Sequence, residues 1–147
     1  MSNNLLKGKR GIIFGALNDM SIAWKVAERA QEEGATFTLT NAPIAMRMGA
    51  INDLAEKTNS EVIPADATSV EDLKHLFEKS QEILGGKVDF VLHSIGMSPN
   101  VRKKKPYTGL NYEWYKQTLD VSAMSLHKTL QVAYDMDALN NWGSVSV

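Results

Sequence analysis

A short stretch near the N-terminus combines the residue types needed to bind a phosphate. Residues 11–14 predict a buried strand, Gly15 ends it, and helical periodicity begins near Ser21. A helix start presents unpaired backbone N–H groups and the positive end of the helix dipole, which stabilise a phosphate without any basic side chain. Gly15 would let the backbone approach a ligand closely, and Ser21 could cap the helix or donate its hydroxyl. The stretch is therefore typical of a site for the diphosphate of a dinucleotide.

This stretch departs from the usual glycine-rich fingerprint. Dinucleotide folds commonly show G-x-G-x-x-G, whereas here only Gly15 remains, and Ser21, Ile22 and Ala23 stand where the last glycine would be. A single glycine after a strand is equally compatible with a plain β-turn. Residues further along the chain are therefore needed to distinguish a dinucleotide site from a plain β-turn.

Small or polar residues follow the other predicted strands as well. In open α/β sheets the ligand lies outside the carboxyl ends of the strands, so the residues at those ends are the candidates for binding it. They are Asn41 after the second strand, Asp66 and Ala67 after the third, and Ser94, Ile95 and Gly96 after the fourth. Together with Gly15 they predict one crevice for an extended dinucleotide.

The type of each candidate indicates which part of the dinucleotide it would contact. An acidic residue after strand two would bind the ribose hydroxyls of NAD and an arginine the 2′-phosphate of NADP, whereas Asn41 is neutral and Arg47 keeps NADPH possible. Asp66 could accept a hydrogen bond from the adenine amino group, with Ala67 leaving room for the ring, or it could be a turn aspartate. Gly96 would let a ribose or nicotinamide lie against the backbone, although it also fits an ordinary strand exit.

The remaining polar residues fit structural roles better. His93 is predicted to be packed within a strand, and the helical His75 and His127 to face solvent. The run from Arg102 to Lys105 is interpreted as a solvated loop, with recognition of an acidic partner as the alternative. Because the chain has no cysteine and three scattered histidines, the sequence predicts neither a disulfide nor a metal site.

Strands and helices that alternate along the chain would position these candidates. The predicted strands are 11–14, 36–40, 61–64, 88–93 and 144–147, and the predicted helices are 21–34, 43–58, 69–84 and one that starts near Tyr112. Residues 96–111 form a long irregular loop. This order predicts an α/β fold with a doubly wound parallel sheet of the Rossmann type. Residues 1–147 are expected to form one dinucleotide-binding domain, truncated in strand five and so incomplete at its C-terminal end.

Composition limits the function classes further. The chain has 147 residues, 44% of them hydrophobic, and a formal net charge of −1. This balance gives no reason to expect a nucleic acid or an anionic membrane as partner. No segment has the roughly 20 apolar residues of a membrane span and no signal peptide is recognisable, so a cytoplasmic protein is expected.

Four segments together carry a family resemblance that runs across the whole chain in the correct order. They are G-x-x-x-x-x-S-I-A from Gly15 to Ala23, Asp66, H-S-I-G from His93 to Gly96, and D-V-S-A-M-S from Asp120 to Ser125. The chain resembles the NAD(P)H-dependent enoyl-acyl-carrier-protein reductases of bacterial type II fatty acid synthesis, a divergent branch of the short-chain dehydrogenase/reductases. H-S-I-G, where ordinary short-chain enzymes have N-x-A-G, is fairly specific when it is combined with the turn at Ser21 and Ile22.

The resemblance implies a role for each matching residue. Gly15, Ser21 and Ile22 would hold the diphosphate, Asn41 would lie near the adenosine ribose, and Asp66 with Ala67 would frame the adenine. Ser94, Ile95 and Gly96 would border the nicotinamide ribose, and Met97 and Ser98 would contact the acyl substrate. Ser122 stands where many short-chain enzymes have a helix asparagine, so their proton relay is not assumed here.

The resemblance also implies a reaction and partners. NADH, with NADPH as the alternative, would reduce a trans-2-enoyl thioester carried on acyl-carrier protein, and a homotetramer is expected. A tyrosine and a lysine follow strand five in the family, and no tyrosine of this chain stands in a place to substitute, so no catalytic residue is predicted within 1–147. Two alternatives remain: another short-chain reductase acting on a carbonyl substrate, and a non-catalytic nucleotide-binding module.

Overall fold

Five parallel strands form the centre of the computed structural model, which describes residues 2–47 and 50–147. The strands are β1 (Arg10–Phe14), β2 (Thr36–Thr40), β3 (Glu61–Val62), β4 (Val88–His93) and β5 (Leu139–Ser146). Their order in the sheet is β3-β2-β1-β4-β5, and every neighbouring pair is parallel. The chain therefore winds outward from β1 in both directions, which leaves the exits of β1 and β4 side by side.

Helices connect the strands and cover both faces of the sheet. They are α1 (Ile22–Glu32), α2 (Pro43–Met46), α3 (Ile51–Thr58), α4 (Val70–Leu84), α5 (Pro99–Arg102), α6 (Tyr112–Leu119) and α7 (Ser125–Asp135). A 3-10 turn lies at Tyr107–Gly109, and a π-helical turn at Asp120–Met124 joins α6 to α7. No helix within the described part of the chain is both long and apolar enough to cross a membrane.

Two apolar cores lie on opposite faces of the sheet. Ile13 and Leu39 pack with α1 and α3 on one face, while Ile12 and Phe14 pack with α4 and α7 on the other. Neighbouring residues such as Ile12 and Ile13 are both fully buried because each face of β1 is covered. The predicted doubly wound α/β class is therefore confirmed.

Several element boundaries differ from the sequence-based expectation. The predicted helix 43–58 is two helices, α2 and α3, and its residues 48 and 49 lie outside the described residues. The predicted loop 96–111 contains α5 and the 3-10 turn, and the helix after Tyr112 is interrupted by the π-helical turn. Strand β5 begins at Leu139, before the predicted 144, because Leu139 already pairs with Val88. The next pair is Phe90–Ser144, so the register shifts between the two pairs.

Candidate dinucleotide site at the carboxyl edge of the sheet

Three adjoining cavities follow the carboxyl ends of the strands. The central cavity, about 160 Å³, is lined by Gly15, Leu17, Asn41, Ala45, Ser94, Ile95, Gly96 and Arg102. A cavity of about 50 Å³ shares Asn41 and Ile95 with it and adds Asp66 and Ala67. A third, about 510 Å³, shares Ser94, Ile95 and Gly96 and extends to Ser122 and Leu126. The exits of β1, β2 and β4 and the segment after β3 therefore border one crevice, as the order of the motifs predicts.

Gly15 is required by the contact between two strand exits. Its φ is +89°, and a Cβ placed on it would lie 1.8 Å from the carbonyl oxygen of Ser94. Glycine alone fits such a position, since any side chain would collide with the β4 backbone. The glycine first interpreted as a contact for ligand thus also allows β1 and β4 to lie side by side at the site.

Ser21 stands at the N-cap position of α1, as predicted, but its side chain bonds the preceding loop and not the helix. Its Oγ accepts hydrogen bonds from the backbone N–H groups of Leu17 and Asn18, both at 3.1 Å, and makes no bond to an N–H of the first helical turn. The expected capping bond is therefore wrong, because the loop folds back onto the hydroxyl. Within residues 2–47 and 50–147, the N–H groups of Ile22 and Ala23 have no acceptor. They stay available to an anion at the positive end of the helix dipole.

Asn41 joins the exits of β1 and β2. Its Nδ2 donates to the carbonyl of Ala16 at 3.1 Å, and its Oδ1 accepts from the N–H of Ala42 at 2.9 Å. The amide is thus held in place by the backbone on both sides. It brings no charge to the crevice.

Asp66 forms the turn that leads into α4. Its Oδ1 accepts from the N–H and the hydroxyl of Thr68 at 2.9 and 2.7 Å, while its own N–H donates to Asp72 Oδ2. The Ser69 hydroxyl caps α4 by accepting from the N–H of Asp72. The turn that sequence analysis considered is therefore present, and it holds the exposed carboxylate beside buried Ala67 at the edge of the crevice.

The segment after β4 is held by hydrogen bonds to Ser122 in the π-helical turn. The Ser122 hydroxyl accepts from the N–H of Met97 at 3.0 Å and donates to its carbonyl at 3.2 Å. Ser98 caps α5 through a 3.4 Å bond from the N–H of Val101. A Cβ placed on Gly96 would meet no atom within 4 Å, so this glycine presents bare backbone to open space.

His93 lies beneath this segment as a packed strand histidine, as predicted. The side chain is 3% exposed, and its Nε2 is 2.8 Å from Ser125 Oγ, whose proton is donated to the Val121 carbonyl. Nε2 must therefore carry a hydrogen and donate it to Ser125. Burial lowers the pKa of His93, which keeps the ring neutral.

Sequence reasoning did not assign Arg102 to the crevice. It was interpreted as part of a solvated basic run, yet it lines the central cavity. The signal that could have found it is Ser98-Pro99, a cap followed by proline, which begins a helical turn and places Arg102 one turn later beside Ser98. Among the described residues, no three His, Asp or Glu side chains cluster in a way that could hold a metal ion.

Comparison with known proteins agrees with this architecture. The family model described as Enoyl-(Acyl carrier protein) reductase matches residues 15–146. The NADH enoyl-[acyl-carrier-protein] reductase FabI of Rickettsia bellii is 32% identical to this chain. The aligned region covers 99% of this chain and 54% of the R. bellii protein. The FabI–NADH complex of Alistipes finegoldii superposes with a TM-score of 0.95 at 63% identity, over 97% of this chain and 50% of that one. The Aquifex aeolicus enoyl-[acyl-carrier-protein] reductase (NADH) superposes with a TM-score of 0.82 at 29% identity, over 95% of this chain and 55% of that one.

These matches establish the relationship of the chain, together with how far it extends. The chain spans about half the length of the curated relatives it matches. The match to the family model nevertheless includes the loop after β1, the H-S-I-G segment and the π-helical turn, so every candidate site residue from Gly15 to Ser98 lies within it. The chain belongs to the enoyl-acyl-carrier-protein reductase family.

Proposed function

We propose that residues 1–147 are the dinucleotide-binding domain of an NADH-dependent enoyl-acyl-carrier-protein reductase of fatty acid elongation. The observation that carries the proposal is the crevice itself, in which four separate chain segments meet. Leu17, in the loop that leads to α1, is among its lining residues, whereas Ser21 and Ile22 are not. A bound dinucleotide needs contacts at both nucleosides and at the diphosphate, and this edge offers polar or small residues at each position. We also propose that the enzyme acts in the cytoplasm.

The proposed contacts follow the parts of the dinucleotide along the crevice. They are Asp66 and Ala67 at the adenine, Asn41 at its ribose, Gly15, Ser21 and Ile22 at the diphosphate, and Ser94, Ile95 and Gly96 at the nicotinamide ribose. Ile22 would act through its backbone N–H, since its side chain is exposed and apolar. Met97 and Ser98 follow Gly96 and would contact the acyl substrate.

NADH is the favoured cofactor because the residue that follows β2 is neutral. Asn41 carries no charge and its amide already bonds Ala16 and Ala42, so the exit of β2 itself supplies no group to offset a 2′-phosphate. Arg47 is exposed at the end of α2 and does not line the three cavities. The R. bellii relative is named as an NADH enzyme, and the A. finegoldii structure is an NADH complex.

The proposed reaction adds a hydride and a proton across the double bond of a trans-2-enoyl thioester. A nicotinamide held at Ser94, Ile95 and Gly96 would supply the hydride to the β-carbon, and the α-carbon would receive the proton. The tyrosine and lysine that the family resemblance implies for stabilising the enolate and orienting the ribose would lie in the half of the relatives' length that this chain does not span. In this chain, the Ser122 bonds to Met97 fix the segment that would face the thioester, and the His93 ring joins the end of β4 to Ser125 at the start of α7.

The test compares substrates in the protein at its full natural length. NADH consumption is measured with crotonyl-CoA and with acetoacetyl-CoA. Turnover of the enoyl thioester supports the proposal. Preference for acetoacetyl-CoA would instead indicate a carbonyl reductase, and NADH binding without turnover of either would indicate a non-catalytic module.

A homotetramer remains part of the proposal on the basis of an exposed face. Large apolar side chains on α6, the π-helical turn and α7 are 47–85% exposed, namely Tyr112, Tyr115, Leu119, Met124 and Tyr134. A second copy packed against this face would remove that surface from water. Sedimentation analysis of the full-length protein tests the assembly, and a monomer at micromolar concentration would contradict it.

A further inference from the structure

One charged side chain lines the central cavity of the crevice. Arg102 stands there with Gly15, Asn41 and Gly96, while the other lining residues are neutral. The lysines that follow it, Lys103 to Lys105, line none of the three cavities at this edge. Arg102 is therefore set apart from the rest of the basic run by its position.

The backbone around Arg102 is held firmly for a surface segment. Asn100 is 3% exposed, and its amide donates to the carbonyl of Asn111 and accepts from the N–H of the same residue, both at 3.0 Å. These two bonds tie α5 to the start of α6, and the Ser98 cap fixes its other end. Arg102 thus projects from an anchored turn, which reduces the entropy lost when its side chain binds a ligand.

The charge of Arg102 is not used within the protein. In the part of the chain that the structure describes, Arg102 takes part in none of the ion pairs, while Arg29 and several lysines do. The side chain is exposed at the mouth of a cavity that contains no carboxylate. An anion in this cavity would meet the guanidinium without displacing an internal partner.

The loop after β1 offers few unpaired hydrogen-bond donors to a doubly charged diphosphate. The N–H groups of Leu17 and Asn18, which could donate to phosphate oxygens, are already bonded to Ser21 Oγ. The glycine-rich fingerprint that supplies additional backbone donors in other dinucleotide folds is absent from this stretch. A planar guanidinium that can donate two parallel hydrogen bonds to phosphate oxygens would compensate for these donors.

We propose that Arg102 binds the diphosphate of the dinucleotide, an inference that rests on the proposed function. The central cavity shares Asn41 and Ile95 with the cavity that contains Asp66, and Ser94, Ile95 and Gly96 with the cavity that contains Ser122. An extended dinucleotide carries its diphosphate between its two nucleosides, so a dinucleotide that follows these cavities would place its two negative charges in the one that shares most residues with both of the others. The 2′-phosphate of NADPH is the second phosphate that could reach Arg102, and the experiment separates the two.

The experiment measures the dissociation constants of NADH and NADPH by fluorescence titration of the full-length protein. The variants are Arg102→Gln, Arg102→Lys and, as a matched loss of one positive charge on the exposed surface of α4, Lys74→Gln. Arg102→Gln is expected to weaken both nucleotides about tenfold, as for a lost hydrogen bond to a charged group. Arg102→Lys recovers part of the affinity, and Lys74→Gln binds both nucleotides like the wild type.

Two results would overturn the assignment while leaving the proposed function intact. Wild-type affinity for NADH in Arg102→Gln would show that the diphosphate does not contact this side chain. Loss of NADPH affinity alone would assign Arg102 to the 2′-phosphate instead. If the wild-type protein binds neither nucleotide, the proposed function fails and this inference fails with it.

Discussion

Two glycines border the central cavity, and they have different reasons for being glycine. Gly15 has a positive φ and lies against the Ser94 carbonyl, whereas Gly96 faces open space. The first is therefore constrained by the protein itself. The second is constrained only by whatever occupies the crevice.

Alanine at these two positions should separate folding from binding. Gly15→Ala is expected to lower the free energy of unfolding by at least about 1–2 kcal/mol, since alanine resists the left-handed backbone and its Cβ would meet the Ser94 carbonyl. Gly96→Ala should unfold like the wild type but bind NADH more weakly, because its Cβ would occupy space proposed for the nucleotide. Urea denaturation and NADH titration measure the two effects. Unchanged NADH affinity in Gly96→Ala would argue against the proposed position of the ribose.

Two buried threonines on β2 differ in whether the side-chain hydroxyl has a hydrogen-bond partner, so their valine variants can be compared. Thr38 Oγ1 lies 2.7 Å from Ser80 Oγ, whereas Thr40 Oγ1 is buried and lacks a hydrogen-bond partner within the described residues. Thr38→Val should destabilise the protein by about 1–3 kcal/mol, because the Ser80 hydroxyl loses its partner. Thr40→Val should be neutral or stabilising, because it removes a desolvated hydroxyl with little change of shape. Urea denaturation of both variants checks the order, and an equal loss of stability in the two would contradict it.

At the scale of elements, the sequence predicted those parts of the fold that depend on local pattern. The strands 36–40 and 88–93 were predicted with their observed bounds because both are apolar or β-branched runs that end at turn residues. The π-helical turn at Asp120–Met124 was missed, since a regular helical stripe through Leu119 and Ala123 assumes an uninterrupted 3.6-residue period. The Ser122 bonds to Met97 accompany this turn and involve residues 25 positions apart, which no local pattern reveals.

The contact between α1 and α3 gives the protein a defined response to acid. Glu28 on α1 accepts a 2.6 Å hydrogen bond from Lys57 on α3, and this bond, with those from Lys25 and Trp24, lowers the pKa of Glu28 from 4.5 to about 2. A carboxylate with a lowered pKa in the folded state stabilises the protein above its unfolded pKa, and the stabilisation is lost as pH falls through the folded pKa. Its contribution therefore fades between about pH 4.5 and 2.

Removing the lysine should weaken this pH dependence. In Lys57→Met the pKa of Glu28 is expected to rise toward its ordinary value, because the hydrogen bond that lowers this pKa most is lost. Stability at neutral pH should fall slightly, as for an exposed ion pair, and the loss of stability on acidification should be shallower than in the wild type. Urea denaturation at a series of pH values measures both, with Lys74→Met as the control, since this exposed lysine of α4 takes part in no ion pair among the described residues. Parallel pH curves for wild type and Lys57→Met would contradict the assignment.

At the scale of the whole molecule, the crevice could be predicted because one topological rule places every strand exit on the same edge. Asn41, Asp66 and Ile95 are far apart in sequence, yet parallel strands bring their ends together. The position of Arg102 in the crevice could not be predicted in this way, because this residue follows a short helical turn after the strand rather than the strand itself. Its place depends on the Asn100 bonds to Asn111, which appear only in the folded chain.

The lysines beside the crevice mouth give the molecule a local charge that its net charge of −1 conceals. Lys103, Lys104 and Lys105 are exposed immediately after Arg102, where an acidic carrier protein would approach with its substrate. Changing all three to glutamate should raise KM about tenfold for an enoyl substrate on the carrier protein, because rim charges govern association.

Crotonyl-CoA serves as the internal control, since it reaches the same crevice without a protein surface, and its KM should change less. Added salt should also reduce the difference between wild type and variant for the carrier-bound substrate, as screening weakens exposed charges. Equal increases of KM for both substrates would mean that the lysines act on the crevice rather than on a docked carrier.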